Sequence, residues 1–169
     1  MPVEEKEKKL FDEIALKYSC KDTYPVSAAA RRFQFNTLLN LIPKDRNTEF
    51  DNIIEIGCGN GAGAEYLKDL YSHYTGIDIS SKLIQIAKKN YASENAEFFC
   101  SDILQFEEKT KYDLIVCVGV LHHLPDLKKY LKKISDMGHK NSIFLFLEPQ
   151  SLNPMIQFMR MIRKLTDPS

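Results

Sequence analysis

The stretch that most constrains this chain is Asp51 to Gly63, DNIIEIGCGNGAG. Ile53, Ile54 and Ile56 make a short apolar run with the β-branched bias of a buried strand. The glycines at 57, 59, 61 and 63 then remove every second side chain. A strand that runs into such a loop and on into a helix brings backbone N–H groups close to a ligand. Glycine permits both the tight turn and that approach. Ala64 to Leu70 follows with helical spacing. This is a nucleotide-type binding loop, and the remaining chain reads as its support.

From residue 51 strands and helices alternate. Tyr74 to Ile79 reads as a second strand, and Ser80 or Ser81 can cap a helix running to about Ala92. Ala96 to Cys100 is a third strand. Tyr112 to Val120 is a fourth, apolar enough to be covered on both faces. Leu121-His122-His123-Leu124-Pro125 turns the chain into a Lys-rich helix ending near Met137, and Ser142 to Leu147 is a fifth strand. The expected fold is α/β: a Rossmann-like, doubly wound, mostly parallel sheet with helices on both faces. Before it, residues 1–50 form a helical extension, with helices at Glu4–Tyr18 and Val26–Leu41. After it, residues 151–169 hold a helix with a basic flank, a substrate lid or a membrane-facing element. His73 and His139 read as loop residues.

Charge and length exclude several classes. At 169 residues and 44% hydrophobic content the chain supports one good core. Lys plus Arg (23) balances Asp plus Glu (23), and no basic stripe is interleaved with aromatics, which argues against nucleic acid. No run approaches the roughly 20 apolar residues of a membrane span, and the charged start lacks a secretion signal. Cys20, Cys58, Cys100 and Cys117 show no CxxC spacing, so reduced core thiols in a cytoplasmic protein are expected, with no metal.

Polar residues converge at the strand ends: Glu55 ahead of the glycines, Asp78 after strand two, Asp102 after strand three, and Gly119 to His123 after strand four. Asp78 lies 21 positions after Gly57, near the roughly 20-residue spacing at which an acid meets ribose hydroxyls. A charge at a helix N-terminus is its alternative role. Gly57-x-Gly59-x-x-Ala62 also satisfies the dinucleotide fingerprint, which keeps a nicotinamide-dependent oxidoreductase in view. Glu55, however, would repel phosphates and suits an ammonium group.

Together these residues resemble the class I S-adenosylmethionine-dependent methyltransferases, small-molecule branch. Glu55-Ile56-Gly57-Cys58-Gly59-Asn60-Gly61 is similar to the family's first motif and Gly76-Ile77-Asp78-Ile79-Ser80 to the second. Cys100-Ser101-Asp102-Ile103 resembles the adenine segment and Tyr112-Asp113-Leu114-Ile115-Val116 the fourth motif. The resemblance covers residues 51–150 and implies S-adenosylmethionine as cofactor and a small organic methyl acceptor. It implies contacts from Glu55, Gly57, Cys58, Gly59 and Gly61 to the methionine part, and from Asp78 to the ribose. Ile79, Ser101, Asp102 and Ile103 would frame the adenine, Val118 and Gly119 would pass near the sulfonium, and Tyr18 on a closing N-terminal helix would reach the cofactor.

Transfer would be an in-line displacement in which the protein supplies positioning and water exclusion. His122 and His123 are the candidate bases, with turn or core roles as the alternative. The family's sheet normally ends with two more strands, which this chain lacks. A fragment, a truncation, or a homo-oligomer covering the open edge would each account for that. A non-catalytic binding module is the rival from a different class.

Overall fold

The computed structural model describes residues 3–19, 24–43 and 49–148. The helix expected within residues 151–169 lies outside them. Five apolar runs become strands: β1 (Phe50–Ile56), β2 (Tyr71–Asp78), β3 (Ala96–Cys100), β4 (Tyr112–Val118) and β5 (Gly138–Leu147). They pair in parallel in the order β3-β2-β1-β4-β5. Side chains alternate across each strand, so each face of the sheet collects its own apolar set. One face packs Ile53, Tyr74, Phe98, Leu114 and Leu145 against Phe35 and Leu38 of α2 (Pro25–Leu39) and Ile84 and Ala87 of α4 (Ser81–Tyr91). The other packs Ile54, Ile56, Ile77 and Ile115 against Tyr130, Ile134 and Met137 of α5 (Leu127–Met137). The doubly wound α/β arrangement is therefore as expected.

Several boundaries differ for physical reasons. The helix after the glycines, α3 (Ala62–Tyr66), has only five residues, because Leu67 and Leu70 close turns that feed β2 opposite Phe50. β2 starts at Tyr71 and β5 at Gly138, earlier than the sequence suggests, since ladder pairing outweighs local propensity. His73 and His139 consequently lie in strands, not loops. β4 stops at Val118, where Gly119 takes a φ of +68° that no strand holds. Cys100 is exposed rather than a core thiol, because it ends an edge strand.

The N-terminal α1 (Val3–Ser19) lies across the carboxyl edge of this unit. Asp12 Oδ1 accepts from Ser80 Oγ at 2.6 Å and from the Lys82 N–H at 3.1 Å, which ties α1 to the start of α4. Ser80 is itself the N-cap of α4, accepting from the Leu83 N–H at 3.2 Å.

Candidate functional site

The chain winds outward from β1 through β2 to β3, then returns to β4 on the other side. Segments leaving β1 and β4 therefore part and open a crevice at the carboxyl ends of the strands. A cavity fills it. Gly57 and Gly59 form one wall, Ile77 to Ile79 a second, Ser101 to Ile103 a third, and Val118 to Val120 a fourth. Leu83 and Tyr130 add apolar surface, His123 to Pro125 edge the opening, and Glu7 and Phe11 of α1 close over it.

The glycine loop is built by backbone need. Gly57, Gly59 and Gly61 take φ of +69°, +57° and +84°, which favour glycine. A Cβ on Gly57 would also stand 2.2 Å from Val120 Cγ2. The loop is locked to β2 by Gly57 and Cys58 N–H groups donating to Ile77 O, and by Gly59 N–H donating to Asp78 Oδ2 at 2.9 Å. Asp78 Oδ1 accepts from the Ser80 N–H at 2.8 Å, so one carboxylate organises both the loop and the start of α4. Burial pushes the Asp78 carboxyl up, against the pull of those N–H donors. A carboxylate has about four acceptor sites, and the Gly59, Ser80 and Ile79 N–H groups leave capacity for a hydroxyl donor. Asp102 is similarly held, Oδ1 accepting from the Leu104 N–H at 2.7 Å and Oδ2 from Tyr130 Oη at 3.3 Å.

Of the residues expected at the site, Gly57, Gly59, Asp78, Ile79, Ser101, Asp102, Ile103, Val118, Gly119 and His123 line this one cavity. Others do not. Glu55 is 2% exposed and faces the α2/α4 side, because alternation along β1 sets it with Ile53. Its carboxylate accepts from Tyr74 Oη and lies against Gly63, where a Cβ would be 1.8 Å away. Cys58 turns its thiol into the same core, where burial raises its pKa. Gly61 is packed beneath Ala87 and Phe98. These three shape the loop from behind. The side chain of Tyr18 lies outside the described residues.

His122 also leaves the cavity wall. Its Nδ1 lies 2.6 Å from Glu148 Oε2, while Glu148 Oε1 accepts from the Val120 and Leu121 N–H groups at 2.9 and 2.8 Å. Burial pushes the Glu148 carboxyl up, but these partners outweigh it and hold it below its ordinary value. Sequence reading missed Glu7, Glu148 and Tyr130 as site residues. Tyr130 lies within α5 and Glu148 just past β5, neither in a local motif, whereas Phe11 opens the segment likened to the helix that closes over the cofactor.

The residues present fit S-adenosylmethionine. Among the described residues the cavity walls carry the carboxylates Glu7, Asp78 and Asp102 and no lysine or arginine, which suits a cation lacking phosphate. Fold and crevice thus define a doubly wound α/β protein with a ligand site at its topological switch point. The family described as Methyltransferase domain matches residues 47–167, and the chain belongs to it. Malonyl-[acyl-carrier protein] O-methyltransferase of Acetivibrio thermocellus is 29% identical over 125 residues, covering 73% of this chain and 44% of that protein. Ubiquinone biosynthesis O-methyltransferase of Coxiella burnetii is 33% identical over 85 residues, covering 48% of this chain and 36% of that protein. The chain spans less than half the length of either relative. N-methyltransferase NodS from Bradyrhizobium japonicum, solved with S-adenosyl-L-homocysteine, superposes with a TM-score of 0.61 at 26% identity, covering 74% of this chain and 63% of NodS.

Proposed function

We propose that this chain binds S-adenosylmethionine and transfers its methyl group to a small organic acceptor. The observation that carries the reading is Asp78: a half-buried carboxylate clamping the glycine loop, with acceptor capacity left, in a cavity walled by acids and apolar residues. When bound, the cofactor supplies an electrophilic methyl group on a positively charged sulfur. Gly57 and Gly59 admit its amino-acid end, and Asp78 accepts from the ribose hydroxyls. Ile79 and Ile103 pack on the adenine and Asp102 accepts from its amino group. Val118 and Gly119 border the methyl end, and α1 excludes water above it.

The division of labour in this reading is that residues 1–50 cap the site and residues 51–150 hold the cofactor, with residues 151–169, outside the described residues, as the lid read from the sequence. A nicotinamide cofactor is disfavoured because its pyrophosphate would meet carboxylates and, among the described residues, no basic side chain in the cavity wall. The buried thiols of Cys58 and Cys117, raised by burial, suit the reducing cytoplasm as the setting. Among the described residues no helix is long and apolar enough to cross a membrane. β5 is an edge strand of the described sheet, and pairing of a second copy along it is the homo-oligomer consistent with this reading.

Calorimetric titration with S-adenosylmethionine, S-adenosylhomocysteine and NADH tests the proposal. Binding of both adenosyl compounds without NADH is expected. NADH binding alone would overturn it. A chain that binds the donor but methylates nothing in a small-molecule extract would be the binding module instead.

A further inference from the structure

The acid just past β5 reaches back to the loop that follows β4. β4 stops at Val118, and the Gly119 N–H adds one more rung, donating to Leu147 O at 2.7 Å. The φ of +68° at Gly119 then turns the chain out of the sheet into the single helical turn Leu121–His123. No side chain at the start of that turn caps it, so its leading N–H groups need acceptors from elsewhere. Glu148, 27 positions beyond Leu121, supplies them. Its Oε1 accepts from the Val120 and Leu121 N–H groups at 2.9 and 2.8 Å, and His122 Nδ1 lies 2.6 Å from its Oε2. One carboxylate thus holds three consecutive residues.

Those residues continue a wall of the cavity. Val118, Gly119 and Val120 line it, and Val120 Cγ2 stands 2.2 Å from where a Gly57 Cβ would be. Pairing with β5 ends at Val118 and Leu147, so the backbone past Gly119 takes its course from Glu148. Burial pushes the Glu148 carboxyl up, but His122 and the two N–H groups outweigh it and hold it below its ordinary value. At neutral pH the carboxylate therefore only accepts, and His122 donates to it from Nδ1.

We infer that Glu148 is the positioning residue for the methyl end of the cofactor: without touching the ligand, it sets the wall from Val118 to Val120 against the sulfonium. The inference rests on the methyl-transfer reading above and deepens it. S-Adenosylmethionine and S-adenosylhomocysteine differ by one methyl group and the charge on sulfur. The ratio of their affinities therefore reports on this wall, whereas damage to the fold or to the ribose site lowers both together.

The test titrates both compounds by calorimetry into the native chain and into the Glu148→Ala and Glu148→Gln variants. In Glu148→Ala, affinity for S-adenosylmethionine should fall about 10-fold, the scale of one misplaced polar contact. Affinity for S-adenosylhomocysteine should stay within about two-fold. Glutamine keeps an oxygen for the two N–H groups and loses the charge, so Glu148→Gln should recover most of the loss. Its amide NH₂ would face His122, whose ring should switch from Nδ1–H to Nε2–H in ¹⁵N spectra assigned with His122→Ala. Hydrogen exchange checks the clamp without ligand: the Val120 and Leu121 amides should exchange severalfold faster in Glu148→Ala, with Ile115 and Val116 in β4 unchanged. Equal loss of both affinities in Glu148→Ala would make Glu148 a fold-stabilising acid and overturn the inference. A loss as large in Glu148→Gln would assign the effect to charge and overturn it as well, and so would an unchanged affinity ratio in Glu148→Ala. Failure of the native chain to bind either compound would overturn the methyl-transfer reading itself, and this inference with it.

Discussion

At the scale of single residues the site depends on one acid and a few backbone angles. Asp78→Ala removes the acceptor for Gly59 and Ser80 N–H groups and for any ribose hydroxyl. Loss of a charge-assisted hydrogen bond is worth about 1.5–3 kcal/mol, so S-adenosylhomocysteine affinity should fall roughly 10- to 100-fold by calorimetry. Unchanged affinity would exclude the ribose role. Since burial raises the folded-state pKa of Asp78, its ionisation opposes folding. The stability it contributes is full below its ordinary value of 3.8 and is lost as pH rises through the folded value. Ligand affinity, which needs the carboxylate, should run the other way and weaken as pH falls through that value. The glycines differ among themselves. Gly119, at a φ of +68°, has open space where a Cβ would go. Gly119→Ala should therefore cost only about 1–2 kcal/mol of backbone strain in denaturant melts. Gly57→Val adds a collision with Val120 and should lose the loop geometry and ligand binding together.

At the scale of elements, α1 is the part whose attachment is polar and local. Asp12→Ala deletes two hydrogen bonds, to Ser80 and Lys82, worth about 1 kcal/mol each. Amides of α1 should then exchange with solvent severalfold faster, while those of β1 and β4 keep their protection. Equal acceleration of helix and sheet would show that α1 is not a separable cap. Burial raises the Asp12 carboxyl, but the Ser80 and Lys82 donors outweigh it and hold it below 3.8. Its tether is therefore present above that ordinary value and released as pH falls through the lowered one. Ser80→Ala would uncap α4 and untie α1 at once.

At the scale of the whole molecule, the end of the sheet opposite the crevice is fastened by a polar cluster. Asp113 Oδ2 accepts from the Asn52 N–H at 2.8 Å, and His139 Nε2 lies 2.9 Å from Asp113 Oδ1. The Asn141 N–H donates to His139 Nδ1 at 3.2 Å, so the ring proton sits on Nε2 and points at the acid. The cluster joins β1, β4 and β5. Burial raises the Asp113 carboxyl, but Asn52 and His139 outweigh it and leave it lowered. Its stabilisation is present above 3.8 and lost as pH falls through the folded value. Asp113→Asn should lower the melting midpoint at pH 7 by about 2–4 °C, and the gap should close in melts repeated toward pH 3. A gap that persists there would deny the charge a role.

The sequence alone determined the strand order of events: short β-branched runs, a glycine loop and intervening helical periods demand a parallel α/β sheet, because period and turn chemistry are local properties. It also determined that Gly57, Gly59, Asp78 and Asp102 face one crevice, since residues at the carboxyl ends of parallel strands must gather there. Only the tertiary structure decided that Glu55 turns away, because strand alternation and a 1.8 Å approach to the Gly63 Cβ position are facts of packing. It alone separated His123 from His122 and brought Glu7 and Glu148 to them. Those partners lie 116 and 26 positions distant, and no pattern in a chain encodes a contact made only when a helix folds back across the sheet.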